Sequence, residues 1–561
     1  MTVARLSIRT WKDILFQLRI EFKFGFNGWT IFSLFLVLLI CIPIFIIFSH
    51  LFASPSSTWS HLASTVLKDY IINSFILIAG VGSLSLIMGV STAWLVTTCN
   101  FPGRKFFSWA LILPLSIPTY IAAYTYAGIF DYTGPVQKWV TFLGIDNNTI
   151  FFDVMTIEAI IFILAFTLFP YVYLITRTSF HRQSRTFLES SRSLGKGQFS
   201  TFFKIALPLA RPAIVGGLFL VLMEVLNDYG AVKYFGIPTF TTGIFRAWFS
   251  LGDSDAAIRL SAILMIFIFS LMWLENWQRG KAKFTSSDSS FKPMQKLTFG
   301  KVGKSIAFTI CLVPFLFGFF IPVLQLGSWT LQTAKDVVNT EFIVLVLNSF
   351  FLAVVAALLC VFVALVLIYT ARLYHSYLTS RFSQIAVLGY SMPGAVIAVG
   401  VLIPLISLDK SIAGFMSANF GISTGLLLTG TIFALIFAYL VRFLAISFNP
   451  IKAGFENTCE KLDEASRSLG ISPLRTLRRI NLPLIKGTLL GAAILVFVDV
   501  LKELPIILVL RPFNFNTLSI RAFELASDEM VAQSANAAII IILTGIIPII
   551  ILSNLISREA K

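Results

Sequence analysis

Long apolar runs separated by shorter polar segments account for most of the sequence. Twelve of these runs reach about 20 residues, the length that an α-helix needs to cross a hydrocarbon core of roughly 30 Å. Six precede a polar segment near residue 280, at 29–51, 72–97, 106–130, 154–176, 212–235 and 256–275. Six follow it, at 305–327, 343–370, 384–407, 424–446, 487–510 and 536–556. The pattern predicts twelve membrane spans.

The apolar runs are continuous and do not alternate between apolar and polar residues. A membrane β-barrel is built from short strands in which the two kinds of residue alternate. A continuous run satisfies its backbone hydrogen bonds internally as a helix. The sequence therefore predicts an all-α membrane protein.

Composition supports the same conclusion. Hydrophobic residues make up 57% of the chain, charged residues make up 12%, and the mean hydropathy is +0.87, which is too apolar for a protein whose exterior faces water. We attribute the formal net charge of +16 to basic loops that meet anionic lipid headgroups. We therefore expect contact with membrane lipid and no nucleic-acid partner.

The basic residues predict the orientation of the spans, because Lys and Arg concentrate in cytoplasmic loops. They crowd the segment before the first span, the central polar segment and two long loops. The loop residues are Arg177, Arg182, Arg185, Arg192, Lys196 and Lys204, then Lys452, Lys461, Arg467, Arg475, Arg478 and Arg479. The intervening segments carry few, with only Lys68 in 52–69, Lys138 in 131–153 and Lys410 in 408–423. Twelve spans with both termini in the cytoplasm fit this distribution.

The chain also repeats itself at a fixed offset of 275 positions. Glu189, Gly195, Ile205, Leu207 and Pro208 recur as Glu464, Gly470, Ile480, Leu482 and Pro483. The same offset relates Ser116 and Pro118 to Ser391 and Pro393. A long repeat in constant register indicates a duplicated unit. Since each half has an even number of spans, the two halves share one orientation and are predicted as parallel six-helix repeats.

This repeat divides the chain into three parts. A first transmembrane half covers 1–275 and contains a coupling loop at 177–208. A polar and flexible cytoplasmic linker covers 276–303, where Ser, Lys and Asp replace the apolar residues. A second transmembrane half covers 304–561 and contains a coupling loop at 447–483.

The two long basic loops carry the same motif. It runs Glu189-Ser190-Ser191, Gly195 and Ile205-Ala206-Leu207-Pro208, then Glu464-Ala465-Ser466, Gly470 and Ile480-Asn481-Leu482-Pro483. The spacing predicts a short helix in each loop, ended by a glycine that permits a sharp turn. The proline then suits the first turn of the next helix. The alternative is a plain basic loop between two spans.

This doubled motif resembles the cytoplasmic coupling motif of binding-protein-dependent ABC importer permeases. The resemblance implies a type I ABC importer permease-like fold in a bacterial inner (plasma) membrane. It implies a dimeric ABC ATPase that grips the coupling residues Glu189, Ser190, Ser191, Gly195, Glu464, Ala465, Ser466 and Gly470. It also implies a periplasmic or extracellular substrate-binding protein.

The chain itself is expected to carry no catalysis and no cofactor. It lacks a G-x-x-x-x-G-K-[ST] nucleotide-binding loop. ATP and Mg²⁺ are therefore assigned to the partner ATPase.

Two pairs of acidic residues fall within predicted spans: Glu224 and Asp228 in the fifth, and Asp499 and Glu503 at the equivalent positions of the eleventh. A spacing of four residues places each pair on one helical face. Carboxylates are costly in hydrocarbon and are functional candidates for that reason. We interpret them as parts of the translocation pathway for a cation. Alternatively they pair with Lys233, Lys502 or Arg511.

A second resemblance concerns the cargo. The stretches Asn227-Asp228-Tyr229-Gly230 and Lys502-Glu503-Leu504-Pro505 look like the ferric iron branch of these permeases. Ferric ion is a hard cation that prefers oxygen ligands, so Asp228 and Glu503 are candidate transient metal ligands. Thiamine or a polyamine remains an alternative, since Tyr120, Tyr124 and Tyr126 could serve an organic cation.

The loops after the fifth and eleventh spans carry a repeated charge pattern, Arg246 with Asp253 and Arg521 with Asp528. On the predicted orientation they lie outside the membrane, where rim charges could position the binding protein. Salt bridges within each loop are the alternative. A rival from another class is a proton-coupled secondary transporter, which would need no coupling loops.

Overall fold

A computed structural model of the chain describes residues 27–143, 153–182, 198–279, 297–298, 300–374 and 377–559, apart from 53, 55 and 460. Almost all of these residues are helical. Within these ranges the strands β1 (Cys99–Asn100) and β2 (Leu297–Thr298) pair in parallel over two residues. The prediction of an all-α membrane protein is confirmed.

The helices of the first half are α1 (Gly28–Ser49), α2 (Ser57–Thr65), α3 (Leu67–Thr98), α4 (Arg104–Ala110), α5 (Thr119–Phe130), α6 (Pro135–Phe142), α7 (Ile157–Arg182), α8 (Gln198–Thr201), α9 (Leu207–Asn227), α10 (Gly230–Tyr234), α11 (Phe240–Phe245) and α12 (Ser254–Arg279). Those of the second half are α13 (Lys301–Phe315), α14 (Ile321–Val337), α15 (Thr340–Tyr374), α16 (Tyr377–Ala386), α17 (Gly394–Phe420), α18 (Ile432–Glu456), α19 (Lys461–Ser468), α20 (Pro473–Thr476), α21 (Leu482–Lys502), α22 (Pro505–Leu510), α23 (Leu518–Ser527) and α24 (Val531–Glu559).

Eleven helical segments in the described part of the chain are long and apolar enough to cross a membrane, and one bent pair of helices supplies a twelfth. The predicted number of spans is confirmed. The fifth span runs over Phe202–Asn227 and the eleventh over Pro473–Lys502, so both start earlier than predicted. The reason is that the end of the repeated motif is itself helical and continues into the span.

The third span is not one straight helix, as the apolar run 106–130 predicted. It bends by 92° between the segment Arg104–Ser116 and the segment Thr119–Phe142. Ile117 is extended, at φ −93° and ψ 115°, because a residue before proline is driven out of the α region. The apolar run 384–407, predicted as the ninth span, is interrupted at the equivalent place, with Met392 extended before Pro393. The spanning helix there begins at Gly394. The repeated Ser-x-Pro sequence thus encodes a repeated break.

A wide π turn joins each motif to its span. The turns cover Phe202–Ala206 and Leu477–Asn481, which are separated by the offset of the sequence repeat. In each, the N–H of the following leucine donates to a carbonyl five residues back, from Leu207 to Phe202 and from Leu482 to Leu477. The motif proline comes next and has no N–H to give to the preceding turn. A wider turn accommodates it without ending the helix.

The chain forms two compact units. Unit 1 combines Leu347–Phe515 with the residues before Ala53. In it, α1 packs along α17, where Gly400 leaves room for Ile47 and the Pro43 carbonyl. The Ser33 hydroxyl donates to that of Thr370 over 2.9 Å. The first span is therefore bound to helices of the second sequence half.

Unit 2 combines Ala53–Val346 with Asn516–Lys561. Its α13 and α14 pack against helices of the first half. The Tyr126 hydroxyl donates to the Phe317 carbonyl, and the Phe166 and Phe317 rings stack at 5.4 Å. Near the C-terminal end of α14, Thr333 Oγ1 accepts a hydrogen bond from the Asn536 amide over 2.7 Å. This contact holds α24 against α14.

The compact units therefore divide the chain differently from the sequence halves. The first span of each half packs with helices of the other half, α1 in unit 1 and α13 with α14 in unit 2. In the predicted linker, 280–296 lies outside the described residues, and β2 follows it.

Candidate functional site

The second coupling motif folds as a short helix. α19 spans Lys461–Ser468 and has Asp463 and Glu464 in its first turn, where the positive end of the helix dipole favours acidic side chains. A turn follows the helix at Gly470, whose φ is +72°. The Gly470 N–H donates to the Arg467 carbonyl and the Ile471 N–H to the Ser466 carbonyl. The helix and its glycine turn are as the motif predicted.

A polar network fixes the inner face of α19. The Arg372 guanidinium meets Asp463 at 2.6 Å, and both side chains are more than nine-tenths buried. Asn481 donates to the other Asp463 oxygen over 2.9 Å. The Ser466 and Thr476 hydroxyls lie 2.6 Å apart and are buried. Sequence reasoning missed Arg372 and Asp463, although a charge at the end of an apolar span was the available signal.

The outer face of α19 carries the other motif residues. Glu464 and Ala465 are exposed. Leu462 is 43% exposed and Leu469 78% exposed. Residues 462, 465 and 469 follow helical spacing, so they form one apolar stripe beside an acidic residue. A helix that is held on one face and presents such a stripe on the other is suited to enter a groove in a partner.

The first coupling motif cannot be compared atom by atom, because Glu189, Ser190, Ser191 and Gly195 lie outside the described residues. Their role stays a prediction. In sequence, the positions equivalent to the inner-face network are Thr97, Leu188 and Ala206, in place of Arg372, Asp463 and Asn481. The ion pair of the second loop is therefore not repeated in the first.

The acidic positions differ from the sequence prediction in one respect. α9 ends at Asn227, and Asp228 is extended, at φ −65° and ψ 129°. α21 ends at Lys502, and Glu503 is also extended, at φ −67° and ψ 125°. The predicted continuation of both helices beyond these acids was wrong. The later acid of each pair sits at a break between a span and a short helix.

Asp228 caps that short helix in unit 2. Its Oδ1 accepts hydrogen bonds from the N–H groups of Ala231, at 3.0 Å, and Val232, at 3.2 Å. Its Oδ2 accepts a hydrogen bond from the Thr119 hydroxyl, and the Thr241 hydroxyl donates to its backbone carbonyl over 2.6 Å. Within the described ranges, neither Lys233 nor any other base forms an ion pair with this carboxylate.

Glu503 holds the same position in unit 1. Its Oε1 accepts a hydrogen bond from the Ile506 N–H over 3.2 Å. Its Oε2 lies 3.4 Å from Nε of Arg442, and both side chains are more than nine-tenths buried. The sequence alternative of a basic partner is thus realised at Glu503, but the partner is Arg442. Arg442 was missed because it is one charge within a long apolar run.

Glu224 and Asp499 lie one turn before these caps. Both are partly buried near the ends of α9 and α21. In the part of the chain that the structure describes, no three His, Cys, Asp or Glu side chains come together as a metal-binding group.

The candidate docking residues lie at corresponding places in unit 2. Arg246 and Arg521 are exposed, and Asp528 ends α23 in an exposed position. Asp253 Oδ1 accepts a hydrogen bond from the Ala256 N–H over 3.0 Å. Burial alone would raise the pKa of Asp253, but hydrogen bonds led by this one hold its pKa below the usual range. Among described residues, neither arginine forms the alternative salt bridge with its loop aspartate.

Comparisons with known proteins agree with this architecture. The family model described as binding-protein-dependent transport system inner membrane component matches residues 85–279 and 366–561. The Fe(3+)-transport system permease protein FbpB 2 of Haemophilus influenzae is 30% identical over 483 residues, 84% of this chain and 87% of that protein. The ferric transport system permease protein FbpB of Actinobacillus pleuropneumoniae is 24% identical over 79% of this chain and 65% of that protein. The sulfate transport system permease protein CysT of Escherichia coli is 28% identical over 26% of this chain and 51% of its own length.

Proposed function

Because the chain belongs to the family of binding-protein-dependent transport system inner membrane components, we propose that it is the permease subunit of an ATP-driven ABC importer for ferric iron. The observation that carries the proposal is the doubled coupling motif, one copy of which presents a firmly held helix with an exposed acidic and apolar face. That face suits a partner, and this chain supplies no nucleotide-binding loop of its own.

The partner at the coupling loops is a dimeric ABC ATPase, which binds ATP and Mg²⁺. Closure of that dimer pulls on both coupling loops. In the second loop, the pull on α19 reaches the membrane through the Arg372–Asp463 ion pair and through the π turn that leads into α21. The permease then alternates between outward and inward access.

Iron as the cargo is supported by the extent of the similarity to ferric transport permeases and by the buried carboxylates. The carboxylate of Asp228 offers the hard oxygen atoms that a ferric ion prefers. Glu224, Asp499 and Glu503 are further acidic groups at the ends of the same two spans. These acids oppose an anion such as sulfate, whose permease matches only about a quarter of the chain. Thiamine and polyamines are the competing cations.

A soluble binding protein delivers the iron at the face that carries Arg246, Asp253, Arg521 and Asp528. The exposed arginines and aspartates suit complementary charges on such a protein. The distribution of basic residues supports a bacterial inner membrane protein whose coupling motifs and termini face the cytoplasm. The delivery face then lies on the opposite side.

Exchange of both motif glutamates tests the proposal. The double variant Glu189→Gln with Glu464→Gln should lower ATP-dependent uptake of radioactive ferric iron by at least about tenfold, equivalent to 1.4 kcal/mol of coupling free energy. Uptake and transport-linked ATP hydrolysis are measured in vesicles that contain permease, ATPase and binding protein.

The matched control is Glu456→Gln, the same chemical change at an exposed position in the same loop but outside the motif. It should transport like the unchanged protein. Normal uptake by the double variant would refute the coupling role. If the substrate accumulated on a proton gradient without any ATPase, the secondary transporter would be favoured instead. Uptake of thiamine in place of iron would refute the assignment of iron as the cargo.

A further inference from the structure

The sequence repeat allows the two acidic caps to be compared position by position. The backbone is nearly identical, since Asp228 and Tyr229 have the φ and ψ angles of Glu503 and Leu504 within 6°. Differences between the two sites therefore arise from their side chains. Three positions differ together: Asp228, Thr119 and Thr167 in the first half correspond to Glu503, Gly394 and Arg442 in the second.

In unit 2 the donors to the carboxylate are neutral. The Thr119 hydroxyl and two backbone N–H groups bind Asp228. Thr167 stands where unit 1 has its arginine, and its hydroxyl donates to carbonyls of its own helix, at Ile163 and Leu164. Among the described residues no basic side chain forms an ion pair with Asp228, so its counterparts are these neutral donors.

In unit 1 the carboxylate has a permanent counter-charge. Arg442 reaches Glu503 because residue 394 has no side chain. A Cβ added to Gly394 would lie 2.5 Å from Nη1 of Arg442 and 2.5 Å from Oε1 of Glu503. The longer glutamate, the arginine and the glycine thus form one interlocking set. A threonine at 394, like the one at 119, would not fit with the other two.

We infer that the two caps have different roles, with Asp228 as the carboxylate that contacts the cationic cargo and Glu503 as half of a charge-neutral clamp between α18 and the end of α21. A guanidinium at 3.4 Å cancels most of the attraction that a carboxylate exerts on a distant cation. Asp228 keeps that attraction. This inference deepens the proposed function and rests on it for the charge of the cargo.

Reciprocal transplants test the inference with the side chains that stand at the equivalent positions of the other half. The first transplant places the set of the first half into the second, as Gly394→Thr, Arg442→Thr and Glu503→Asp. The second places the set of the second half into the first, as Thr119→Gly, Thr167→Arg and Asp228→Glu. The complete transporter is reconstituted with each, and uptake of ferric iron is measured beside ATPase stimulation by the loaded binding protein.

The first transplant should keep uptake within about twofold of the unchanged protein, whereas the second should lower it by at least about tenfold. If a transplant does not fold, two simpler variants test the same difference between the caps. Asp228→Asn should lower uptake by a similar factor, and the charge-neutral double variant Arg442→Gln with Glu503→Gln should retain most of it.

Equal loss from both members of a pair, or normal uptake by the second transplant or by Asp228→Asn, would overturn the inference. These outcomes are distinct from failure of the proposed function, which would appear as absence of iron uptake by the unchanged protein. Binding of the ATPase should be the same for every variant, since none of the changes lies in a coupling loop.

Discussion

Replacement of Arg372 by methionine should destabilise unit 1 by about 3–5 kcal/mol, the usual cost of removing one partner from a buried ion pair. Asp463 would keep its charge in a buried position, and among the described residues it would retain only the Asn481 amide as a side-chain donor. The carbonyl groups of Phe455 and Thr458 would also lose their guanidinium donors. Thermal unfolding of the detergent-solubilised protein, followed by intrinsic fluorescence, measures the effect.

Lys452→Met is the matched control, because Lys452 and Glu456 form an exposed pair at 4.0 Å and such pairs contribute about 0–1 kcal/mol. The repeat also offers a rescue. Arg372→Thr combined with Asp463→Leu and Asn481→Ala installs the residues of the first half and leaves no buried charge. This triple variant should be more stable than Arg372→Met. If Arg372→Met melts at the temperature of the unchanged protein, the ion pair does not hold α19.

Gly389→Ala should reduce the amount of folded protein sharply. Gly389 lies in the 3₁₀ turn Val387–Ser391, and a Cβ there would come closer than 3.0 Å to the carbonyl oxygen of Val441. That oxygen belongs to the backbone of α18 and cannot rotate away as a side chain could. We expect the free energy of unfolding to fall by about 3 kcal/mol or more, at the upper end of what overpacking costs. The yield of monodisperse protein and its melting temperature measure the effect.

Gly414→Ala is the control for that change. Gly414 lies within α17, and a Cβ there would meet nothing within 4 Å. Since alanine is favoured over glycine in a helix by up to about 1 kcal/mol, this variant should be as stable as the unchanged protein or slightly more stable. Equal behaviour of the two variants would show that the turn can move away from α18.

The sequence predicted the features that depend on neighbouring residues. Apolar runs gave the number of spans because the hydrophobic requirement acts along each helix separately. The motif at Glu464 and Gly470 gave α19 and its turn, since helix formation and a positive φ are local properties. Pro118 was also a local signal for a break in the helix. It was not read as one because apolar residues surround it and the whole run looked like a single span.

The features that depend on distant residues were not predictable in this way. Arg372 and Asp463 are 91 positions apart, and neither has a charged counterpart in the first half. Arg442 is one charge within a long apolar run, and its pairing with Glu503, 61 positions later, depends on the fold. The repeat also does not indicate which helices the first span of each half will join.

The partition of the first spans between the two compact units has a consequence for how the gene can be organised. Suppose that the reading frame were interrupted within 280–296, so that two cistrons encoded the protein. The first product would carry α1 without residues 347–515, and the second would carry α13 and α14 with α24 but without the helices of the first half that they also pack against. Neither product could complete a unit until it met the other in the bilayer. A single reading frame instead makes both sets of helices in equal number and in the same place, so unpaired products that would be open to proteolysis do not accumulate.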